Sequence, residues 1–383
     1  MIEWTEGTVV TILEDGETIQ RLLVEEEGTG CRRRAIHYPP LLGKAKVGDA
    51  VWLNVTAVRL GLGTGGVHFT AGWLFRPPYS PTPSGHIMKL RYTPLQMAVL
   101  TGEEERSPYH ERMREACSLE GTPVLLGELH SMLPTAAATW RFLGEKGHEQ
   151  PRVVYVMTDG GALPIAFSRH VQNLEKNGFL DGTVTAGNAF GGGLEAVNLY
   201  SALLLARHVL RADLIFVSMG PGIVGTGTLY GFSGIEQGQA VNAVHSLGGI
   251  PVFIPRLQET DSRGRHRGVS HHTETNLGSV ALAPAVVPYP SEPESLKVTV
   301  EEMARTCFVE HRWLPVSIST GETKNRLRLL PEPVKTMGRC LEEDPLFFRT
   351  ICGAAEAAYR LWRFMGEGSS SDDATTRLMS GDA

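Results

Sequence analysis

Short segments rich in Val, Leu, Ile, Thr and Trp fill the first 75 residues and are separated by turn residues, a pattern typical of β-strands. The pair Asp15-Gly16 is a hairpin turn signal between two of them. We therefore expect a compact N-terminal β-barrel of five or six strands over residues 1–75, with a structural or docking role. The predicted strands are Gly7–Leu13, Thr18–Val24, Ala50–Leu60 and Val67–Leu74.

The composition changes after this segment, which indicates a domain boundary. Four prolines among the 11 residues from 75 to 85 predict a proline-rich linker over 76–85. At the other end of the chain, residues 366–383 are rich in Ser, Asp and Gly and predict a disordered tail. Residues 86–365 are then expected to form the second domain.

From about residue 120, uniformly apolar segments alternate with segments of helical periodicity. Apolar runs of this kind are typical of strands buried on both faces. We therefore expect an α/β domain with a mainly parallel sheet and helices on both faces, of Rossmann-like type. The predicted strands are Pro123–Leu126, Val153–Met157, Leu214–Met219 and Pro251–Pro255, with a weaker signal for a strand at Gly182–Ala186 and for a sixth at Val280–Val287. The predicted helices are Pro134–Leu143, Pro164–Lys176, Leu194–Leu210, Ile235–Leu247, Val300–Cys307 and Pro345–Phe364.

Glycine-rich turns follow three of these strands, and 17 of the 43 glycines lie between Met157 and Gly249. Glycine lets the backbone approach a ligand closely, and helix N-termini behind such turns present free N–H groups to anions. Because the turns meet at the carboxyl edge of a parallel sheet, we expect an anion-binding site there. Its predicted ligand-binding residues are Gly160, Gly161, Asn188, Gly191, Gly192, Gly220, Gly222, Gly225, Thr226, Gly227 and Thr228.

The turn from Gly220 to Thr228 has two interpretations. Its G-x-G-x-x-G spacing fits the dinucleotide fingerprint, but no helix is predicted to begin at Gly225 and no acidic residue ends the next strand. A Walker A loop is excluded because the Gly-Lys-Ser/Thr ending is absent. Phosphate or carboxylate binding and a tight packing loop both stay open.

Asp159 is a candidate catalytic residue because it directly follows a buried strand. A carboxylate at that position can coordinate a metal, orient a substrate hydroxyl or act as a base. The alternative is that Asp159 caps the N-terminus of the next helix. Glu195 is predicted in the first turn of a helix, where it would stabilise the helix dipole.

The densest polar cluster spans residues 259–274 and follows the fifth predicted strand. Its arginines are predicted to clamp an anion: Arg263, Arg265 and Arg267. Its histidines are predicted to be acids, bases or metal ligands: His266, His271 and His272. Because neighbours in an extended loop point in different directions, we expect one of the two adjacent histidines to enter the site. The alternative is a solvated basic loop.

A metal site at the same edge is a further hypothesis. Glu128 and His130 lie in the turn after Pro123–Leu126, the first predicted strand of the α/β domain, and Asp261 lies in the polar cluster. With Asp159 and the histidines, these residues are the metal-ligand candidates, although their spacing matches no named metal signature. The sequence assigns no cofactor.

Charge and cysteine content narrow the function classes. The formal net charge is −6, which disfavours nucleic-acid binding, and the run Cys31-Arg32-Arg33-Arg34 is expected to be a solvated turn. Five cysteines without a C-x-x-C motif disfavour a disulfide framework. No apolar signal region follows Met1, and no segment of about 20 apolar residues occurs. We therefore expect a cytoplasmic protein without membrane contact.

Three runs allow a comparison with a known family: Met157-Thr158-Asp159-Gly160-Gly161-Ala162-Leu163-Pro164, Met219-Gly220-Pro221-Gly222-Ile223-Val224-Gly225-Thr226-Gly227-Thr228, and Ser270-His271-His272-Thr273. Behind an N-terminal β module, they look like a bacterial family that is known as a domain of unknown function. The resemblance covers nearly the whole chain except the tail. It implies no activity, cofactor or catalytic residue.

Three functional hypotheses follow. The first is an enzyme that binds a phosphorylated or carboxylated small molecule, such as a nucleotide, at the sheet edge; hydrolysis, group transfer and isomerisation all fit. In this hypothesis glycine turns bind the anion, and Asp159 and a histidine of 266–272 transfer protons. The second is a noncatalytic metabolite sensor whose barrel docks a partner, and the third is a nucleic-acid-binding module. The sequence fixes no oligomeric state, and a homo-oligomer is compatible with it.

Overall fold

The structure is a computed structural model that describes residues 2–61, 66–77, 79, 81–82, 85–161 and 163–381. The chain forms two compact units, one made of Met1–Ser84 with Leu90–Ala98 and the other of Gly85–Lys89 with Val99–Ala383. The linker predicted over 76–85 lies partly outside the described residues, at positions 78, 80, 83 and 84. Residues 90–98 belong to the first unit, whereas the sequence prediction placed them in the second domain.

Five strands form a closed barrel in the first unit, in the order β1-β2-β3-β5-β4. Neighbouring strands are antiparallel except for the parallel pair β3–β5, an arrangement found in the OB-fold. Val9, Leu22 and Leu53 are among the residues that fill its interior. The elements are β1 Trp4–Asp15, β2 Gln20–Glu26, β3 Arg32–His37, α1 Pro39–Leu42, β4 Ala50–Asn54, α2 Thr56–Arg59 and β5 His68–Trp73.

The arginine run from 32 to 34 is part of strand β3, so its prediction as a solvated turn was wrong. Arg32 is exposed and forms an ion pair of 2.9 Å with Glu25 on the neighbouring strand. Ala35 and Ile36, at the other end of β3, are buried, and Ala35 packs in the core of the barrel. The strand is therefore solvated in its first half and completes the core with its second half.

The second unit is built on an eight-stranded sheet in which all neighbouring strands are parallel. The strand order is β11-β10-β9-β12-β8-β13-β16-β17. The predicted Rossmann-like α/β class is thereby confirmed. The strands of the sheet are β8 Pro123–Leu126, β9 Val153–Thr158, β10 Gly182–Ala186, β11 Leu194–Ala196, β12 Leu214–Met219, β13 Ile250–Phe253, β16 Val286–Pro290 and β17 Arg312–Val316. Short strands outside it are β6 Ile87–Lys89, β7 Met97–Val99, β14 Leu257–Gln258 and β15 Gly268–Val269.

Helices cover both faces of this sheet. Successive residues of a strand point to opposite faces, so each strand contributes side chains to two cores. Tyr155 of β9 packs in the core formed with Trp140 of α4 and Phe348 of α11. Its neighbour Val154 packs in the opposite core, with Leu203 of α6 and Val244 of α7. The helices are α3 His110–Glu115, α4 Leu133–Gly147, α5 Arg169–Lys176, α6 Leu199–Leu204, α7 Glu236–Ser246, α8 His271–Thr275, α9 Glu294–Ala304, α10 Thr320–Leu327, α11 Pro345–Gly366 and α12 Ser371–Ser380.

The segment Leu194–Leu210, predicted as one helix, begins as strand β11 and becomes helical only at Leu199. Glu195 therefore lies on a strand and not in a first helical turn. Its carboxylate accepts hydrogen bonds of 2.6 Å from Lys89 Nζ and from Thr185 Oγ1. These tertiary partners hold the segment in the sheet. Two other predicted elements are present with shifted bounds. The strand predicted over Val280–Val287 is β16 at Val286–Pro290, and the helix predicted over Val300–Cys307 is α9 at Glu294–Ala304.

The C-terminal tail is also ordered, so the prediction of disorder over 366–383 was wrong for the residues described. Ser370 caps α12 by accepting a hydrogen bond from the backbone of Asp373. Ala374 and Leu378 are fully buried and pack in the core with α11. Two apolar residues at helical spacing were hidden within a polar composition. None of the helices in the described part of the chain is long and apolar enough to cross a membrane.

Candidate functional site

The carboxyl ends of the neighbouring strands β9, β12 and β8 border a small cavity. The connections from β8 and β9 pass through α4 and α5 on one face, whereas α6 and α7 cover the other face. Ligands bind at such a reversal of winding in parallel α/β sheets. Glu128, Thr158 and Glu236 line the cavity, whose volume of about 10 Å³ is near the minimum that holds one water molecule.

Glu236, the first residue of α7, is a functional candidate that the sequence analysis did not identify. Burial, with a smaller contribution from the charge of Asp159, raises the pKa of Glu236 to about 7, although a hydrogen bond from Thr158 lowers it. A Cβ at Gly160 would lie 3.0 Å from Glu236 Oε2, so this glycine leaves room for the carboxyl group. A carboxyl group that titrates near pH 7 suits general acid–base catalysis.

Asp159 follows β9 at the same edge of the sheet. Its Oδ2 accepts a hydrogen bond of 3.1 Å from Asn188 Nδ2, and its Oδ1 is buried without a partner. A Cβ at Gly187 would lie 2.5 Å from Oδ2, which explains the glycine there. Asp159 does not cap a helix, because Ser168 is the N-cap of α5. A buried carboxylate oxygen without a partner is a candidate for ligand contact.

Three histidines form a cluster beyond the end of β13. His266, His271 and His272 each bring one ring nitrogen within 4.8 Å of the others. The ring of Phe232 stacks on His272, with 3.8 Å between centroids. We expected only one of the adjacent histidines to enter the site. This expectation was wrong, because His271 and His272 both belong to the cluster.

Both adjacent histidines belong to the cluster because they begin a helix and do not lie in an extended loop. Ser270 accepts a hydrogen bond from the backbone N–H of His272 and so caps α8. Neighbouring side chains on a helix are about 100° apart, given 3.6 residues per turn, so both rings can face one region. The ring centroids of His271 and His272 are 4.3 Å apart.

Burial and nearby positive charges lower the pKa of two histidines of the cluster, His266 and His271. Burial lowers the pKa of His266 to about 3, and the charges of Arg256 and Arg263 act in the same direction. Burial also lowers the pKa of His271, against a hydrogen bond from Nδ1 to the carbonyl of Arg265. Neutral imidazole is the form that accepts protons and binds metals.

Glu128 connects the cavity with the histidine cluster. Its side chain is completely buried, and Oε1 accepts hydrogen bonds from His272 Nδ1 and, at 3.3 Å, from Arg256. The other oxygen, Oε2, is buried without a partner. Because Glu236 lines the same cavity, the two glutamates and the histidines belong to one continuous site.

Asp261 collects the positive charge of this region. Its carboxylate lies 3.0 Å from Arg263 Nε, 3.4 Å from Arg339 and 3.8 Å from Arg256. Burial would raise the pKa of Asp261, but hydrogen bonds from Arg263 hold it below the usual range. Arg267 donates to the backbone carbonyl of Asp261 at 3.3 Å. The predicted clamp of three arginines is therefore not formed, because Asp261 neutralises Arg263 and engages Arg267.

Arg265 is the member of the predicted clamp that stays available. Its side chain is exposed, and it forms no ion pair with any residue in the described ranges. A Cβ at Gly227 would lie 3.9 Å from Arg265 Cζ, so the guanidinium lies beside the glycine-rich segment. On the same segment, a Cβ at Gly225 would lie 3.8 Å from His272 Nε2.

The glycine-rich segment 220–228 continues into a hairpin, and α7 begins only at Glu236. Gly225 is bridged to Phe232, and Thr226 donates its N–H to the carbonyl of Gly231 at 2.7 Å. The hydroxyl groups of Thr226 and Thr228 bond to each other at 2.9 Å. This geometry differs from a phosphate cradle that leads directly into a helix. Gly222, also predicted to bind ligand, is exposed with φ of +111°, and Gly220 packs against Leu163.

Two other predicted glycines use their N–H groups within the fold. Gly191 donates to Glu195 Oε1 at 2.6 Å, and Gly192 donates to Thr185 Oγ1 at 3.1 Å. Neither N–H group is left for an anion. Gly161 is exposed next to Gly160.

His130 lies apart from the histidine cluster. Its Nδ1 is 3.1 Å from the hydroxyl of Tyr155, and its Nε2 is 2.6 Å from that of Ser168. Burial lowers the pKa of His130 to about 3. Because both ring nitrogens are engaged and Asp261 is bound by arginines, these two metal-ligand candidates have structural roles.

The model of one protein family matches residues 34–355, from β3 of the barrel to α11. Its description is "Protein of unknown function (DUF3866)". No curated protein matches the chain. The match spans the barrel strands from β3 onward and every group of the site described above.

Proposed function

The chain belongs to the DUF3866 family, and we propose that it is an enzyme that binds a phosphorylated or carboxylated small molecule, nucleotides included, at the carboxyl edge of its parallel sheet. One observation carries this proposal. Glu128 lines the cavity with Glu236 and also hydrogen-bonds to His272, so groups suited to proton transfer and a histidine cluster form one site. The reaction is transfer of the phosphoryl or acyl group to the oxygen of water or of another hydroxyl acceptor, which loses a proton; the bond to the leaving-group oxygen breaks, and that oxygen takes up a proton.

Glu236 is the proposed general acid–base group. A pKa of about 7 leaves the carboxyl group divided between its two protonation states at neutral pH, which is optimal for giving and taking a proton. Asp159, with its buried and unpartnered Oδ1, is proposed to orient a substrate hydroxyl group or the attacking water. Asn188 holds the other oxygen of Asp159 and so fixes the direction of the carboxylate.

Arg265 is the proposed anion-binding side chain. Arg256, Arg263 and Arg339 are engaged by acidic partners. Arg267 donates to the backbone carbonyl of Asp261, whereas the guanidinium of Arg265 lies exposed beside Gly227. A guanidinium group donates two parallel hydrogen bonds to a phosphate or carboxylate. The proposal includes a bacterial cytoplasmic setting, and five free cysteines support a reducing compartment.

The first test measures anion binding by the melting temperature. Phosphate, sulfate, citrate and ATP are added separately at millimolar concentration, since a ligand that binds only the folded state stabilises it. We expect an upward shift in the wild type and a smaller shift in Arg265→Ala. Gly225→Val, which places a branched side chain beside His272, is expected to abolish it. Arg305→Ala, an exposed arginine at the end of α9, is the matched control and should keep the full shift.

The second test measures turnover on a panel of phosphate monoesters, acyl phosphates and nucleotides. We expect at least one substrate to be converted by the wild type and by Glu302→Gln, an exposed control, but not by Glu236→Gln. Binding of an anion without turnover of any panel member, or of any mixture of two, would contradict the enzyme and favour the metabolite sensor. The absence of both binding and turnover would overturn the anion site itself.

A further inference from the structure

The rings of His266, His271 and His272 form a site for a cation. We propose that their Nε2 atoms bind one divalent transition-metal ion of the zinc type. This inference goes beyond the proposed activity and does not depend on it, because it rests on the geometry and the hydrogen bonds of the three histidines. Three imidazole nitrogens with a fourth position for water or substrate are a common ligand set of zinc enzymes.

Hydrogen bonds that engage the three Nδ1 atoms leave the Nε2 atoms for a ligand. His271 Nδ1 is 3.1 Å from the backbone carbonyl of Arg265, and His272 Nδ1 contacts the carboxylate of Glu128. A carbonyl and a carboxylate only accept hydrogen bonds, so each Nδ1 carries the proton and each Nε2 carries a lone pair. The Nδ1 of His266 lies 2.8 Å from Ser270 Oγ, a hydroxyl group that can also accept. Metal-binding histidines are generally held by such partners.

A second observation points to a ligand at this place. The Nε2 of His271 is buried and has no hydrogen-bond partner. A buried polar atom without a partner is destabilising, and such atoms often mark the place of an ion. Bound metal would satisfy the lone pair of His271 together with those of the two neighbouring rings.

The distances fit a metal ion after a small adjustment. One nitrogen from each ring lies within 4.8 Å of the others. Zn–N bonds of about 2.0–2.1 Å place nitrogens roughly 3.3–3.5 Å apart in a tetrahedron, so the most distant rings need to approach by up to about 1.5 Å. Gly225 contributes no side chain next to His272 Nε2, which leaves space on that side of the cluster.

The donor set selects the class of metal. Nitrogen ligands favour Zn²⁺, Co²⁺, Ni²⁺ and Cu²⁺, whereas Mg²⁺ and Ca²⁺ prefer oxygen ligands. Glu128 lies in contact with His272 through Nδ1, so it supports a ligand and contributes negative charge near the ion. We therefore assign Glu128 as a positioning residue for His272.

The experiment titrates chelator-treated, full-length protein with Zn²⁺ by calorimetry and with Co²⁺ by visible absorption. We expect one ion per chain, with a cobalt spectrum of low coordination number and no sulfur-to-cobalt charge-transfer band. His266→Ala and His271→Ala should lose stoichiometric binding. His245→Ala, an exposed histidine of α7, is the matched control and should bind as the wild type does.

Glu128→Gln tests the positioning role, and its Zn²⁺ affinity should fall by about 10- to 100-fold while the stoichiometry stays at one. The proposal is overturned if the wild type binds no Zn²⁺ at micromolar concentration, if His245→Ala loses as much affinity as His271→Ala, or if the cobalt spectrum shows thiolate ligands. Circular dichroism shows whether each variant is folded. If an alanine variant does not fold, His→Gln at the same position replaces it, and the wild-type cobalt spectrum decides the ligand type. A metal bound without turnover leaves the site intact and rejects only the proposed activity.

Discussion

Thr158 at the end of β9 donates a hydrogen bond to Glu236 at the start of α7, although 78 residues separate them in the sequence. The contact exists because β9 and β12 are neighbours in the sheet, and the segment after β12 leads into α7 beside the end of β9. The same arrangement buries the Glu236 carboxyl group at a cavity shared with Glu128. Sheet topology thus places an acid–base group at the carboxyl edge.

The raised pKa of Glu236 predicts how stability depends on pH. The pKa is about 7 in the folded protein, against 4.5 for an ordinary glutamate, so between these values the folded state binds more protons than the unfolded chain. The free energy of unfolding should therefore fall as pH rises from 4.5 to about 7, and this contribution should be constant above 7. Since one pKa unit corresponds to about 1.4 kcal/mol, the total is roughly 2–4 kcal/mol.

Glu236→Gln has no carboxyl group to ionise in the buried site. The variant should therefore be more stable than the wild type at pH 8.5, and its stability should be nearly equal to that of the wild type at pH 4.5. Urea unfolding at the two pH values measures the difference. Glu302→Gln, on the exposed face of α9, should change stability by less than about 0.5 kcal/mol at either pH. An equal effect of Glu236→Gln at both pH values would show that Glu236 does not titrate in this range.

Asp159→Asn should abolish turnover while preserving the fold. The amide keeps the size of the side chain and an oxygen that accepts the hydrogen bond from Asn188, but it loses charge and basicity. We expect turnover to fall by about 10²–10⁴-fold and the melting temperature to stay within a few degrees. Asp181→Asn is the control, because Asp181 holds the N–H of Val153 at the opposite edge of the sheet. Normal turnover in Asp159→Asn would remove Asp159 from the site.

The central strands Pro123–Leu126 and Leu214–Met219 were predictable because they are almost entirely apolar, whereas Gly182–Ala186 contains two threonines and gave a weaker signal. Pro123–Leu126, Gly182–Ala186 and Leu214–Met219 have the predicted bounds. Apolar runs of this kind fit a sheet that is covered by helices on both faces. The carboxyl-edge position of Asp159 followed from the same pattern.

Residues that depend on tertiary partners were not predictable. The local sequence around Glu195 predicts a helix. Its position on a strand depends on contacts such as the one with Lys89, which lies 106 positions away in the sequence. Glu236 carries no local sign of function, because its pKa depends on burial and on Thr158. The three histidines were identified individually, but their meeting depends on a helix start at His271, which residue types alone do not reveal.

Lys89 makes a buried ion pair whose loss is expected to destabilise the second unit. Its Nζ donates to Glu195 Oε2 at 2.6 Å and to the carbonyl groups of Ala189 and Thr185 at 2.5 and 3.2 Å. Lys89→Met keeps the length of the side chain but leaves the Glu195 carboxylate unpaired, which should cost about 3–5 kcal/mol. The double variant Lys89→Met with Glu195→Gln has no unpaired charge and should recover part of this loss. If the double variant loses more free energy of unfolding than the two single variants lose together, the ion pair is not the cause of the destabilisation.

Leu378 tests the ordered C-terminal helix. It is fully buried with Ala374 in the core that contains α11, and Arg377 of the same helix lies over the ring of Phe364, 4.0 Å from its centroid. Leu378→Ala should therefore lower the free energy of unfolding by about 2–5 kcal/mol, because it opens a cavity in a packed core. Met379→Ala, whose side chain is exposed on the other side of α12, should change it by less than about 0.5 kcal/mol. Equal stability of the two variants in urea unfolding would mean that the tail does not pack as the structure shows.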